Sequence, residues 1–241
     1  MVKYIITEKD LSENNIEYIA YSLSDLFMQT SSVICKKREG ARIVMVVETP
    51  EYFSEVVRAE LFDKIAEVIT INYKYEYFKK HISPHGLSNI EKELLLTSLI
   101  SADFDEDKRY AVSKLKGFDE ISMDGMYNFR LKLLKKKWEE IIGYMPEYFV
   151  NAQLKDFITY LLEGTKKKVY VENDKVYDAD FRRLTRGNLM DENLQEGKVI
   201  REILLNGTGE VELAGQISGL DEFYLKEYYG EKVNFTKGLF S

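Results

Sequence analysis

The chain holds few side chains that can act as metal ligands or nucleophiles. Its only histidines, His81 and His85, are four residues apart, which places two imidazoles on one face of a continuous helix. Pro84 disrupts such a helix and no nearby cysteine completes a ligand set, so we expect turn histidines rather than a metal site. Cys35 precedes three cations that would lower a thiol pKa, but a small buried residue is the favoured interpretation. No catalytic residue, metal or cofactor is predicted.

A glycine-containing stretch at 215–219 is a second candidate, because it lies between a predicted strand and a predicted helix. Backbone N–H groups at that position can hold an anion. The stretch lacks the Gly-Lys-Ser/Thr ending of a phosphate-binding loop. We therefore interpret it as an ordinary connection.

Basic residues are concentrated in the middle of the chain. The whole chain has 34 Lys plus Arg and 41 Asp plus Glu, a net charge of −7, whereas residues 108–186 have 17 and 12, a net charge of +5. This stretch can form a surface for an anionic ligand or a nucleic acid, although solvated helix backs and loop charges give the same pattern. The candidate binding residues are Asn128, Arg130, Lys132, Lys135, Lys136, Arg182 and Arg183.

Composition excludes several classes of protein. Hydrophobic residues make up 45% of the 241, which is too many for intrinsic disorder. One cysteine cannot form an internal disulfide, and the longest uncharged stretch, 26–35, is too short to span a membrane. The N-terminus lacks the apolar core of a signal peptide. We expect a soluble, cytoplasmic protein without a membrane span.

Hydrophobic periodicity predicts an α/β fold that opens with a strand–helix–strand module, with α+β as the alternative class. Apolar runs at 2–7 and 42–48 are the strands, and residues 16–27 repeat at helical spacing. Thr49 followed by Pro50 predicts a helix start with Thr49 as its cap. Residues 69–77 fit both a strand and a helix, and the missing breaker favours one long helix.

A central helical segment and a second α/β module follow. Ser88 and Glu91 have the spacing of a capping box. An apolar stripe predicts one helix between 127 and 145; its members are Tyr127, Leu131, Leu134, Trp138, Ile141 and Met145. The pattern at 169–177 predicts a β-hairpin, and 211–235 predicts a final strand–helix–strand. The expected segments are 1–82, 83–163 and 164–241, packed together without a flexible linker, with one compact domain as the alternative.

The segment Met123–Lys132, with Asn-Phe-Arg-Leu-Lys at its end, resembles the YtxC-like family of sporulation proteins. The resemblance continues through 147–163, the hairpin at 168–177 and the ending at 230–235. It covers roughly the second half of the chain in order and spacing. It implies an endospore-forming bacterium and a cytoplasmic location, and it brings no established activity and no catalytic residues.

The residues and the resemblance together lead to three hypotheses about function. The first is a sporulation-associated protein that binds a protein partner, with Asn128, Arg130 and Lys132 in the functional patch. The second is anion or nucleic-acid binding through residues 108–186. The third is an enzyme assembled between the terminal modules, which is the least favoured because no acid–base or nucleophile set is present. The sequence gives neither the partner nor the oligomeric state.

Overall fold

The computed structural model describes residues 1–191, 194–236 and 238. The strands are Val2–Lys9 (β1), Val33–Glu39 (β2), Arg42–Thr49 (β3), Glu120–Ser122 (β4), Lys168–Glu172 (β5), Lys175–Tyr177 (β6), Glu210–Ala214 (β7) and Val233–Thr236 (β8). The helices are Glu13–Ser22 (α1), Ser24–Gln29 (α2), Ser54–Val68 (α3), Lys74–His81 (α4), Asn89–Ala102 (α5), Phe104–Leu115 (α6), Met123–Gly125 (α7), Lys132–Tyr144 (α8), Asn151–Leu162 (α9), Lys198–Leu205 (α10) and Gly219–Tyr229 (α11). The predicted α/β class is confirmed.

The chain forms two compact units, each made of two separate stretches. Unit 1 contains residues 1–74 and 104–141, and unit 2 contains 75–103 and 142–241. The chain therefore passes from one unit to the other three times. Each of the three segments expected from the sequence is one continuous stretch, whereas each unit combines two separate stretches.

Unit 1 is built on a mixed sheet with the order β2-β3-β1-β4. β1 pairs antiparallel with β3 and parallel with β4, in the register Ile6 to Met45 and Ile6 to Ile121. Alternate residues of β1 are buried, and these are Tyr4, Ile6 and Glu8. Because the period of a strand is two, Glu8 lies on the same buried face as two hydrophobic residues.

Unit 2 is built on a second mixed sheet with the order β6-β5-β7-β8. The predicted hairpin is confirmed: β5 and β6 are antiparallel, and Asn173 and Asp174 between them have positive φ angles. The final strand–helix–strand is confirmed as well, since β7 and β8 pair in parallel on either side of α11 in the chain. α10 packs against α5 and α11 in the interior of this unit.

The ambiguous stretch 69–77 is helical, as the missing breaker indicated. α3 continues into a π-helical turn at Ile69–Tyr73 and then into α4. A π turn inserts an extra residue into the helix and rotates the side chains that follow it. The alternating apolar residues at 69–77, a pattern typical of a strand, therefore lie in a helix whose number of residues per turn changes at the π turn. The capping box of Ser88 and Glu91 is also present at the start of α5.

Two local predictions about helices are wrong. The helix predicted across 127–145 is interrupted: a π turn at Met126–Arg130 ends at Leu131, and α8 begins only at Lys132. Thr49 does not cap a helix, because its hydroxyl accepts a hydrogen bond from Ser32 at 2.9 Å and a 3₁₀ turn precedes α3. Leu131, Leu134 and Trp138 are buried as the stripe predicts.

The expectation of a buried cysteine is also wrong, because Cys35 is exposed. It lies on β2, the outermost strand of the unit 1 sheet, where all but one of the residues are exposed. An apolar run in a sequence predicts a buried strand. A strand at the edge of a sheet, however, has a neighbouring strand on one side only and is less covered. In the described residues, no helix is long and apolar enough to cross a membrane.

Candidate functional site

The candidate site in unit 1 lies at one edge of its sheet. β1 and β4 are parallel, so their carboxyl ends meet at that edge, and β3 begins there because it runs the other way. This geometry brings Glu8, Arg42, Ser122 and Asp124 together from three separate parts of the chain. In open α/β sheets the carboxyl ends of parallel strands are a frequent location of binding sites.

Glu8 is fully buried and is held by neutral donors. Its carboxylate accepts hydrogen bonds from the Tyr73 hydroxyl at 2.7 Å, from the Asn15 amide at 3.3 Å and from the backbone N–H of Lys9 at 2.7 Å. Burial raises the pKa of Glu8 above its ordinary value, and the hydrogen bonds offset only part of that rise. Glu8 therefore takes up a proton more readily than an exposed glutamate does.

Tyr73 connects the Glu8 carboxyl to the segment Met123–Lys132. Burial, and the negative charge of Glu8, raise the pKa of Tyr73 far above its ordinary value, so its hydroxyl remains a donor. The Tyr73 ring lies against the Tyr127 ring, with centroids 4.8 Å apart. The two residues belong to the two π turns of unit 1, and π turns are frequent at functional sites.

Arg42 and Asp124 form the second half of the site. The Arg42 guanidinium makes a short contact with Asp124 and donates to the Ser122 hydroxyl at 2.8 Å and the Thr7 hydroxyl at 3.3 Å. Burial alone would raise the pKa of Asp124, but hydrogen bonds from Arg42 and Ser122 outweigh it and hold the pKa below its usual value. Asp124 is therefore a stable anion that fixes the start of the Met123–Lys132 segment to the sheet.

The predicted residues Asn128 and Lys135 meet above Tyr127. The Lys135 ammonium donates to the Asn128 side-chain oxygen at 3.3 Å and lies 4.0 Å from the centroid of the Tyr127 ring. This is the geometry of a cation–π interaction. Burial lowers the pKa of Lys135, although Glu139 partly opposes the change.

The other predicted residues have different environments. Arg130 lies over the Phe118 ring at 5.6 Å, Lys132 is exposed, and Lys136 lies 3.9 Å from Glu140. Arg182 and Arg183 belong to unit 2, in the loop that follows β6. The structure thus places five of the seven predicted residues in one stretch of unit 1 and two in the other unit.

A second buried cluster fixes α8 in unit 1. The Asp107 carboxylate accepts from Lys74 at 2.8 Å, from the Trp138 indole N–H at 3.0 Å and from Lys137 at 2.9 Å. Lys74 and Asp107 are both almost completely buried. Because Trp138 and Lys137 belong to α8, this cluster sets the position of the helix that follows Leu131.

Sequence reasoning missed Glu8, Arg42, Tyr73 and Asp124. One local signal was present: Glu8 occupies a buried position in the alternation of β1, where a charge needs partners. Lys9 and Asn15 are near Glu8 in the chain, but Tyr73 is 65 positions away and Asp124 is 82 positions from Arg42, so no spacing motif links the four residues. Within the described residues no cluster of three or more potential metal ligands exists. The site is thus a network of hydrogen bonds and charges that orients residues 123–136.

Comparisons with family models, with curated proteins and with solved structures gave no match to this chain.

Proposed function

We propose that this protein is a sporulation-associated cytoplasmic protein that acts by binding a protein partner. The binding surface is the exposed side of residues 129–136, named here the Phe129 surface. It consists of Phe129, Arg130, Lys132, Leu133 and Lys136. The sporulation assignment rests on the resemblance of the Met123–Lys132 segment to the YtxC-like family.

The observation that carries the proposal is the exposure of two hydrophobic side chains among cations. Phe129 is 74% exposed and Leu133 is 67% exposed. Single exposed hydrophobic residues are common, but an exposed aromatic beside an arginine is the composition that protein interfaces favour. The cations at 130, 132 and 136 match a partner that presents carboxylates around an apolar anchor.

The buried network supports the proposal because it holds the Phe129 surface in place. Arg42 and Tyr73 anchor the start of the segment through Asp124 and Tyr127, and Asp107 anchors α8. A surface that is rigid before binding loses less conformational entropy when its partner arrives. The polar side chains of this network hold one another through hydrogen bonds, which fits a positioning role better than it fits catalysis.

The structure gives less support to the alternative, a nucleic-acid surface over residues 108–186. Several cations of that stretch are engaged in ion pairs, namely Lys108 with Asp63 and Glu67, Lys137 with Glu106 and Asp107, Lys155 with Glu227, and Lys168 with Glu212. The stretch is also divided between the two units. Phosphate contacts need cations that are available to replace counterions.

The test compares partner retention by matched variants of the full chain. The variant F129A/L133A removes the apolar anchors, and Y52A/M28A removes two hydrophobic side chains of similar exposure elsewhere in unit 1. In affinity capture from sporulating cells, we expect the same protein to be retained by the wild type and by Y52A/M28A and lost with F129A/L133A. Equal retention by all three contradicts the proposed surface.

A second pair of variants tests whether the partner needs the cations of the Phe129 surface, and it also tests the nucleic-acid alternative. K132Q/K136Q removes two cations of the Phe129 surface, and K3Q/K9Q removes two exposed lysines of β1. We expect only the first pair to weaken capture, and more strongly at low salt. Oligonucleotide binding with a steep salt dependence that K132Q/K136Q abolishes would instead favour the nucleic-acid function. Unchanged spore formation and timing after deletion of the gene would contradict the sporulation assignment.

A further inference from the structure

Unit 2 contains a cavity of about 390 Å³ beside the start of α10. Its wall includes Gly187 and Asn188 from a 3₁₀ turn and Lys198, Arg201 and Glu202 from α10. This volume lies at the lower end of the range that small-molecule pockets have.

Arg201 is the unusual residue of this wall. Its side chain is buried, with only 3% of the residue exposed, and it donates one short hydrogen bond to the backbone carbonyl of Leu194. Among the described residues, its Nε and Nη1 atoms have no hydrogen-bond acceptor. A buried donor without an acceptor destabilises the fold, and more so when it carries a charge, so the unpaired donors of Arg201 need an explanation.

The carboxylates near Arg201 already have other donors. Glu202 accepts from the backbone N–H groups of Arg186 at 3.0 Å and Gly187 at 2.6 Å. Asp191 accepts from Lys79 at 2.7 Å. Burial lowers the pKa of Arg201, but a guanidinium stays protonated at neutral pH. Glu93, Asp191 and Asp221 balance part of the Arg201 charge from a distance. Glu93 accepts from the Tyr75 hydroxyl and Asp221 from the backbone N–H of Ile200. The Nε and Nη1 donors of Arg201 still have no acceptor among the described residues.

We propose that this cavity binds a small molecule through a carboxylate or phosphate group held by Arg201, with Lys198 as a second contact. An oxyanion supplies the acceptors that Nε and Nη1 lack and a charge opposite to that of the guanidinium. Lys198 is exposed at the start of the same helix, three residues before Arg201, so the two cations lie on one side of α10. This site lies in unit 2 and is independent of the Phe129 surface.

Isothermal titration of the full chain with inorganic phosphate and with succinate tests the proposal. We expect saturable binding of one stoichiometric equivalent of at least one probe, beyond the effect of sodium chloride at equal ionic strength. Phosphate binding alone identifies a phosphate ligand, and succinate binding alone identifies a carboxylate. Absence of saturable binding of both probes up to about 10 mM overturns the proposal, since even millimolar sites saturate there.

Variants separate the role of Arg201 from a general charge effect. R201K keeps the charge but loses the guanidinium donors, and K198Q changes an exposed residue that the fold tolerates. We expect each to weaken binding about tenfold or more, because charge-assisted hydrogen bonds are lost. K175Q removes an exposed lysine of β6 and is the matched control, with unchanged affinity. If R201K does not fold, K198Q decides: affinity equal to that of K175Q refutes the site.

Discussion

Exchanging Asp107 for asparagine should lower the free energy of unfolding of unit 1 far more than a change of an exposed side chain does. Asp107 is the acceptor for Lys74, Trp138 and Lys137, and it provides the carboxylate for a lysine that is completely buried. Asparagine has nearly the same shape but no charge, and it has one acceptor oxygen instead of two. D107N therefore removes the negative charge of the side chain to which the buried Lys74 ammonium donates.

The magnitude follows from the burial of this pair. Lys74 is 0% exposed and Asp107 is 1% exposed, so solvent does not screen the lost interaction. Removing one partner of a buried ion pair costs about 3–5 kcal/mol, whereas replacing both by apolar residues is often nearly neutral. We expect D107N to lower the free energy of unfolding by about 3–5 kcal/mol. K74M/D107L should recover part of that loss, because it removes the buried lysine charge but still takes the Asp107 acceptor from Trp138 and Lys137.

Trp138 provides the assay, because it is the only tryptophan in the chain and its indole donates to Asp107. Its fluorescence during a urea titration reports the unfolding of this cluster directly. D107N should lower the urea midpoint by more than about 1 M. The control is D105N, which changes an exposed aspartate on the same helix and should leave the midpoint unchanged.

Two results would refute this reasoning. A D107N midpoint equal to that of D105N would mean that Lys74 does not need the carboxylate. A double variant K74M/D107L that loses the full sum of the single losses would mean that the two residues do not interact.

Three further predictions concern single residues. Burial raises the pKa of Glu8 in the folded protein. As pH rises, Glu8 therefore loses its proton in the unfolded chain before it does so in the folded one. Its contribution to the free energy of unfolding falls from about pH 4 up to the folded pKa. E8Q should lack this fall in urea titrations between pH 4 and 8, and an unchanged pH profile would contradict the burial of Glu8. Cys35 is exposed, so a thiol reagent should modify it in the native state at the rate seen in urea. A Cβ at Gly209 would lie 1.9 Å from the Thr165 carbonyl oxygen, so G209A should cost more than about 2 kcal/mol in unfolding measurements. G143A, with no atom within 4 Å of its Cβ, should not destabilise.

The elements of the fold were largely predictable because their signals are local. The hairpin at 168–177, the capping box of Ser88 and the final strand–helix–strand each depend on residues within a few positions of one another. The interrupted helix before Lys132 was not predictable from the apolar stripe, because a π turn preserves hydrophobic burial while changing the period. The exposure of Cys35 depends on strand order, which no local pattern contains.

Of the candidate site, the sequence predicted residues of the segment 128–136 but not the buried residues that hold this segment. Asn128 and Lys135 are close in sequence and meet in the structure, as a helical stretch allows. Glu8 and Tyr73, by contrast, are joined by a hydrogen bond between residues 65 positions apart. Arg42 and Asp124 are 82 positions apart. Such pairs arise from the sheet topology, which a single sequence does not specify.

The discontinuity of the two units has a consequence for how the protein is made. β1 begins at residue 2, but its parallel neighbour β4 lies at 120–122, and the intervening residues 75–103 belong to the other unit. A chain emerging from the ribosome therefore holds β1 with one unpaired side until residues 120–122 have emerged. Fragments that end before β4 expose this edge and should aggregate. Asp124, near the start of the Met123–Lys132 segment, thus arrives at the sheet together with β4, the strand that pairs with the free side of β1.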